Sequence, residues 1–437
     1  MRAGKSLVTK VVAPIAALLI SVALLLMGNG LQGTLLPVRA SIEAFSALDI
    51  GVMGSSYFIG FALGCYYGAH MVRRAGHIRT FTAMVAIASS AVLAHSIIVS
   101  PLLWWFLRAI TGLCFAVLYL VIESWLSERS TNENRGLVFS IYTFINLTVV
   151  TVGQMMLTLD EPTNFPLFAL SSILLSLAAV PIAMTTSPAP KPVESVSIRF
   201  AHLYRVSPVG IIGCFAVGVA NGSFWSLAPL YAQGETNDVT NVAFFMSITV
   251  IAGAIGQIPF GRLSDRMDRR RVMLISCMGA ALAAGGLVML DPAWQHFGVT
   301  ITFLFGLFAF PLYSLSVAHT NDHIDASGYV EAAAGLLLVY ALGAIVGPLL
   351  AASVMQLVGP SGLFLFTMAI HSAAALFILY RIRQRVAPPL EEHIPFGESL
   401  RVSQTVANID MSTLQQPEPS QGEAQSAGIE ENHKPSA

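Results

Sequence analysis

Arg108 is a cation in an apolar setting. It stands about seven residues into a hydrophobic run that opens at Pro101, roughly 10 Å along a helix at the usual rise per residue. A guanidinium at that depth is costly unless it is paired or hydrated, so it belongs on a cavity or in a bundle interior. Two kinds of chemistry suit it. One is functional: a contact with an anionic group of a substrate, or a place in a proton relay. The other is structural: pairing with carbonyls or a carboxylate of a neighbouring segment. Glu123 follows on the same run about 22 Å further along, so the two cannot meet within one helix. Near the end of its run, Glu123 reads as the partner of Arg135 or of Arg73 and Arg74.

Asn29 and Asn221 are a second candidate pair. Each sits beside a glycine with a proline eight residues on, at Pro37 and Pro229. Gly and Pro loosen a helix and free backbone groups, which is tolerated where a cavity or a neighbour satisfies them. Gln32, Tyr119, Asn146, Trp225, Gln257 and Tyr313 would complete an amphipathic cavity, with His319 one step beyond Tyr313. Hydrogen bonding between helices is the alternative role for each asparagine. His70, His95 and His371 read as packed side chains. Ser46-Ala-Leu-Asp49 has the form of a capping box, and Glu331 suits the start of a helix. The four cysteines, Cys65, Cys114, Cys214 and Cys277, each lie in an apolar run without metal-ligand spacing. With no HExxH, GxSxG or Walker loop either, neither an enzyme nor a cofactor or metal is expected.

The elements that must position these groups follow from composition. The chain has 437 residues, 55% hydrophobic and 11% charged, with mean hydropathy +0.70. Soluble domains carry about 25% charged residues. The near-neutral balance of -1 gives no reason to expect a nucleic-acid partner. A transmembrane helix needs about 20 apolar residues. Twelve stretches qualify, near 11–36, 48–71, 78–99, 101–126, 137–158, 165–184, 208–232, 239–263, 272–290, 298–320, 330–357 and 362–382. With both termini in the cytoplasm, all the lysines and arginines except Arg39 and Arg108 fall on the inner side, as the positive-inside rule requires. A multi-pass inner (plasma) membrane protein is expected, with the lipid bilayer as its surroundings.

The sequence also repeats. Asn29, Gly30, Leu35, Pro37, Ala40, Gly64, Arg74 and Arg79 match Asn221, Gly222, Leu227, Pro229, Ala232, Gly256, Arg266 and Arg271 at one constant spacing. At a spacing two residues longer, Gly112-Leu-Cys-Phe-Ala-Val-Leu-Tyr119 matches Gly306-Leu-Phe-Ala-Phe-Pro-Leu-Tyr313, and Val152-Gly153 matches Val346-Gly347. Six spans per repeat put both halves in the membrane the same way round, with a substrate site between them near the midplane. The expected division is a half over 1–184, a cytoplasmic linker over 185–207 rich in proline, a half over 208–385, and an acidic polar tail over 386–437 that is expected to be disordered.

Gly261-Arg-Leu-Ser-Asp265-Arg266-Met-Asp-Arg269-Arg270-Arg271 resembles the loop signature of the major facilitator superfamily. Its counterpart at Ala69 to Arg79 keeps Arg74, Gly76 and Arg79 but has Arg73 in place of the acid. Arg108-Ala-Ile-Thr-Gly112 resembles the family's Arg-x-x-x-Gly element. The YcaD-type bacterial branch is resembled at Gly51-Val-Met-Gly-Ser-Ser-Tyr-Phe58, at Glu123-Ser, at Asn134-Arg135-Gly136, at Gly256-Gln257 and over Leu337 to Pro348. The resemblance implies an all-α membrane protein with twelve transmembrane helices in two parallel six-helix halves. It implies a gating and coupling set of Arg74, Gly76, Arg108, Gly112, Glu123, Arg135, Gly261, Asp265, Arg266, Arg269 and Arg270. Asp265 is expected to pair with an arginine and to face a neighbouring helix N-terminus, a contact that can latch one conformation; membrane anchoring alone is the plainer reading. The implied activity is secondary active transport of a small solute by alternating access, coupled to H+, by a monomer. A non-transporting sensor or scaffold with the same fold is the alternative.

Overall fold

In the computed structural model the residues described are 15–130, 135–185, 195–197, 200–234, 238–289, 295–325, 328–384, 393, 395–396 and 408–410. Twelve helices in this set are long and apolar enough to span a bilayer. They are α1 (Ala16–Ile42), α2 (Ala47–Ala75), α3 (His77–Ile97), α4 (Pro101–Glu128), α5 (Arg135–Met155, extended by a 3-10 turn, Met156–Leu159), α6 (Phe165–Ala183), α7 (Pro208–Gln233), α8 (Val239–Ser264), α9 (Arg269–Val288), α10 in two pieces (Gln295–Ala309 and Pro311–Asn321), α11 (Tyr329–Val358) and α12 (Gly362–Gln384). A short helix, Phe200–Val206, precedes α7.

Local chemistry explains the boundaries. Proline occupies the first turn of α4, α6 and α7, where its missing N–H costs nothing. The capping box at α2 is present: Asp49 N–H donates to Ser46 Oγ at 3.1 Å, and Ser46 N–H donates to the Asp49 carboxylate at 3.0 Å. Asp238 and Asp268 cap α8 and α9 more simply, their carboxylates accepting first-turn N–H groups. Glu331 lies in the first turn of α11.

The first span differs from its expected limits of 11–36. It runs through Pro37 and Arg39 to Ile42, because a proline inside a membrane helix is accommodated by its neighbours. Arg39 is fixed at that end by Glu43 at 2.6 Å and the carbonyl of Pro162 at 3.3 Å. Residues 1–14 lie outside the described set.

Packing reproduces the sequence repeat. The pairs α1–α5, α1–α6, α2–α4 and α3–α6 have counterparts six helices later in α7–α11, α7–α12, α8–α10 and α9–α12. The repeated glycines stand at these crossings. A Cβ at Gly30 would strike Val150 of α5, and one at Gly222 would strike Ala344 of α11; Gly112 and Gly306 are pressed on the carbonyls of Tyr57 and Thr249. Small residues allow such backbone approaches, which drive helix association in lipid. The halves meet through α2–α11 and its symmetry mate α5–α8, with α1 and α2 also touching α7. Exposed apolar side chains such as Phe106, Leu282 and Leu376 form the outer surface, as lipid contact requires.

Successive spans alternate in direction, so the arginine-bearing helix ends at Arg74, Arg129 and Asp265–Asp268 share one face. Of the expected linker and tail, Ser195–Ser197 (β1) and Asn408–Asp410 (β2) pair as short parallel strands. The rest of the tail is outside the described residues, apart from His393, Pro395 and Phe396.

Candidate substrate cavity and charged loops

A cavity of about 1210 Å³ lies between the halves. Its wall takes Asn29 and Thr34 from α1, Tyr57 and Phe61 from α2, Arg108 and Tyr119 from α4, and Ser140 and Asn146 from α5. The other half supplies Trp225 from α7, Gln257 from α8, Phe310 from the break in α10, and Tyr340 from α11. The wall reaches Leu137 and Ile258, toward the arginine-bearing face. At the opposite face α2 closes on α11. Ser55 Oγ donates to the Ile345 carbonyl at 2.6 Å, and a Cβ at Gly51 would run into Ala352 and the carbonyl of Pro348.

Close packing of α2 on α4 sets the position of Arg108. Gly60 is pressed against the carbonyl of Ala109, as Gly112 is against that of Tyr57. Backbones in contact carry the Tyr57 ring under the guanidinium, whose carbon lies 4.4 Å from the ring centroid. Cation–π contact of this kind is stronger where the pair is desolvated. The Nε of Arg108 is buried without an acceptor, and no ion pair reaches Arg108 among the described residues.

Of the residues singled out from the sequence, Asn29, Arg108, Tyr119, Asn146, Trp225 and Gln257 line this cavity. Gln32, Asn221, Tyr313 and His319 stand elsewhere. Gln32 is buried within the N-terminal half, with both amide atoms unpartnered. Asn221 is buried in α7 and does not line the cavity. Tyr313 packs edge-on against Tyr340 at 5.3 Å, its hydroxyl buried. His319 is buried near the arginine-bearing end, its ring 4.7 Å from His323. Sequence reasoning passed over Tyr57, Phe61, Phe310 and Tyr340. Tyr57 lies in a stretch quoted above only for its family likeness, and its placement one turn from Phe61 beside Gly60 was the available signal.

A second constellation occupies the arginine-bearing turns of the C-terminal half. Arg269 is buried and donates from Nε to Asp322 at 2.6 Å and from a terminal nitrogen to Ser264 Oγ at 3.1 Å. Both side chains of the Arg269–Asp322 pair are 1% exposed. Arg270 folds onto Asp268 at 2.9 Å. Asp265, at the end of α8, pairs with Arg269 of the α9 N-terminus at 3.7 Å, and its carboxylate also accepts the backbone N–H of Phe396 at 2.8 Å, a contact the sequence did not suggest. The Phe396 ring covers Gly261 and joins a cluster with Val209, Phe260, Leu312 and Ala375. Arg266 is exposed, as is Arg74. Gly76 takes φ +84° between α2 and α3. Glu123 is buried near the end of α4. Arg135 opens α5, and its side chain lies outside the described residues.

The chain was compared with known proteins. The profile of the Major Facilitator Superfamily matches residues 18–340 and 211–406. An uncharacterized MFS-type transporter YcaD of Escherichia fergusonii is 25% identical over 377 residues, covering 86% of this chain and 97% of that protein. An uncharacterized MFS-type transporter of Enterobacter sp. is 28% identical over 379 residues, covering 85% and 96%. Among solved structures, the nucleoside transporter NupG superposes with TM-score 0.73 at 13% identity, covering 85% of this chain and 99% of that one. A bacterial homolog of the lysosomal transporter Spinster, inward-facing and occupied, gives 0.67 at 15% identity, covering 86% and 97%. These likenesses carry the fold. With both six-helix halves inside the matched range and twelve spans in the order the fold demands, the chain belongs to the Major Facilitator Superfamily.

Proposed function

We propose that this multi-pass inner-membrane protein is a proton-coupled secondary transporter of a small solute. It works by alternating access between a half over 1–184 and a half over 208–385, as a monomer, with both termini in the cytoplasm. The observation that carries the reading is the cavity itself: it lies between the halves, is closed off by α2 against α11, and extends toward the arginine-bearing face. That is one of the two end states alternating access needs, and the other follows by rocking one half against the other. With the arginine-bearing face in the cytoplasm, this end state is inward-facing. Arg108, Gly112 and the residues around Asp265 are the proposed coupling and gating groups.

The test is flux in proteoliposomes against a chemically broad solute panel, with and without an imposed pH gradient. Accumulation driven by the gradient in the wild type, and lost in Arg108→Gln, is the expected result. Flux that ignores ΔpH leaves a facilitator, and no flux of any solute sinks the transporter reading. Orientation is checked separately. Reporter tags at residue 190 and at the C-terminus should both give cytoplasmic signals, and a tag near Asp160 a periplasmic one.

A further inference from the structure

We infer that the cavity takes an organic anion with one negative charge on a largely apolar, partly aromatic body, held by Arg108. The inference rests on the transporter reading for its biological meaning and on the cavity wall for its chemistry. Arg108 is the sole charged residue among the described residues that line the cavity. The wall offers no aspartate or glutamate to neutralise it, and its Nε is buried with no acceptor. The guanidinium is partly exposed on the cavity wall and meets no carboxylate there, so a negative charge arriving through the cavity completes the site. One guanidinium matches one carboxylate or similar head group, through the paired donors of its planar fork. The ring of Tyr57 lies against it at 4.4 Å and holds it in place.

The remainder of the wall describes the body of this ligand. Phe61, Tyr119, Trp225, Phe310 and Tyr340 surround the space, which is why a sugar-like polyol or a bare inorganic anion is a poor match. Asn29, Asn146 and Gln257 supply a few neutral hydrogen-bonding groups. The loaded cavity would carry no net charge, which favours closing the halves around it in a low-dielectric setting.

The experiment reads binding apart from transport. Purified full-length protein is titrated with 4-phenylbutyrate, its uncharged amide 4-phenylbutyramide, the cation 4-phenylbutylamine, and palmitate, using thermal shift and tryptophan fluorescence. Counterflow of radiolabelled 4-phenylbutyrate is then measured in proteoliposomes. A carboxylate should bind about tenfold or more tightly than the amide, and the amine least. Arg108→Gln should abolish the preference and Arg108→Lys should keep part of it, which guards against a variant that merely misfolds. Tighter binding of phenylbutyrate than palmitate assigns a water-soluble source, and the reverse a membrane lipid; both uphold the anion site. Equal binding of carboxylate and amide, a preference that survives Arg108→Gln, or no carboxylate binding to the wild type overturns the inference. Arg108-dependent binding without counterflow leaves the anion site standing and counts against transport. Flux of an uncharged solute without carboxylate binding does the opposite.

Discussion

Arg269 and Asp322 form an ion pair at 2.6 Å that is sealed from solvent on both sides, joining the start of α9 to the end of α10. Removing one member of a buried pair leaves the other charge uncompensated, at a cost of about 3–5 kcal/mol. Asp322→Asn should therefore lower the melting temperature of the purified protein strongly. The exchanged pair Arg269→Asp with Asp322→Arg should recover part of the loss, as read by fluorescence-detected melting. Equal melting of Asp322→Asn and wild type would remove this pair from the account of stability.

Asp265→Asn separates charge from hydrogen bonding. An asparagine oxygen still accepts the Phe396 N–H, whereas the attraction to Arg269 at 3.7 Å is lost. Expression and melting should stay near wild type while uptake falls about tenfold or more, because a charge that biases two conformations is worth on the order of 1–3 kcal/mol. Wild-type uptake would reduce the motif to a topological role.

Phe396→Ala tests the docking of the segment beyond α12. The ring is buried against Gly261 and Phe260, and its loss opens a cavity in that cluster. Buried Phe→Ala changes cost about 3–5 kcal/mol in soluble cores; with part of the ring's surroundings already at the membrane edge, a smaller loss is expected. Limited proteolysis should cut near 385–396 faster in the variant than in the wild type.

Gly112→Leu should be among the most damaging single changes in the N-terminal half. Even a Cβ there collides with the Tyr57 carbonyl, so α2 and α4 must part. Overpacking costs about 1–3 kcal/mol in a well-packed interior, and more where backbone is the obstacle. Arg108 would also lose its seat on Tyr57, so the anion preference should decline together with stability.

The closure of α2 on α11 can be weakened selectively. A Cβ at Gly51 meets both the Ala352 methyl and the Pro348 carbonyl, so Gly51→Val should hold the two helices apart. Uptake should fall while the protein still reaches the membrane, and a thiol-reactive probe at Ser55→Cys, whose hydroxyl is closed on the Ile345 carbonyl in the wild type, should react faster in the variant. Unchanged uptake and labelling would mean that this contact does not govern the closure.

Span number and the pairing of halves were legible in the sequence because apolar length and the constant repeat spacing are local properties. The repeated glycines were legible as matches, and the structure gives their reason: Gly30 and Gly222, or Gly112 and Gly306, occupy equivalent helix crossings. The end of α1 was misplaced because Pro37 reads as a stop only in water. Repetition did not transfer to side-chain environment. Asn29 lines the cavity while Asn221, at the matching position, is buried away from it. Asp322 was missed because its partner lies 53 residues away on another helix, and no spacing rule encodes such a pairing.

Biosynthetic order sets when the buried arginine is paired. The chain emerges from its N-terminus, so Arg269 is made before Asp322, and Asp265 before the residue 131 positions later whose amide it binds. Until α10 has been made, the start of α9 has only contacts local to its own turn, Asp265 four residues earlier among them. The sealed pair at 2.6 Å is therefore a late contact, formed only once the spans on either side of it are in place.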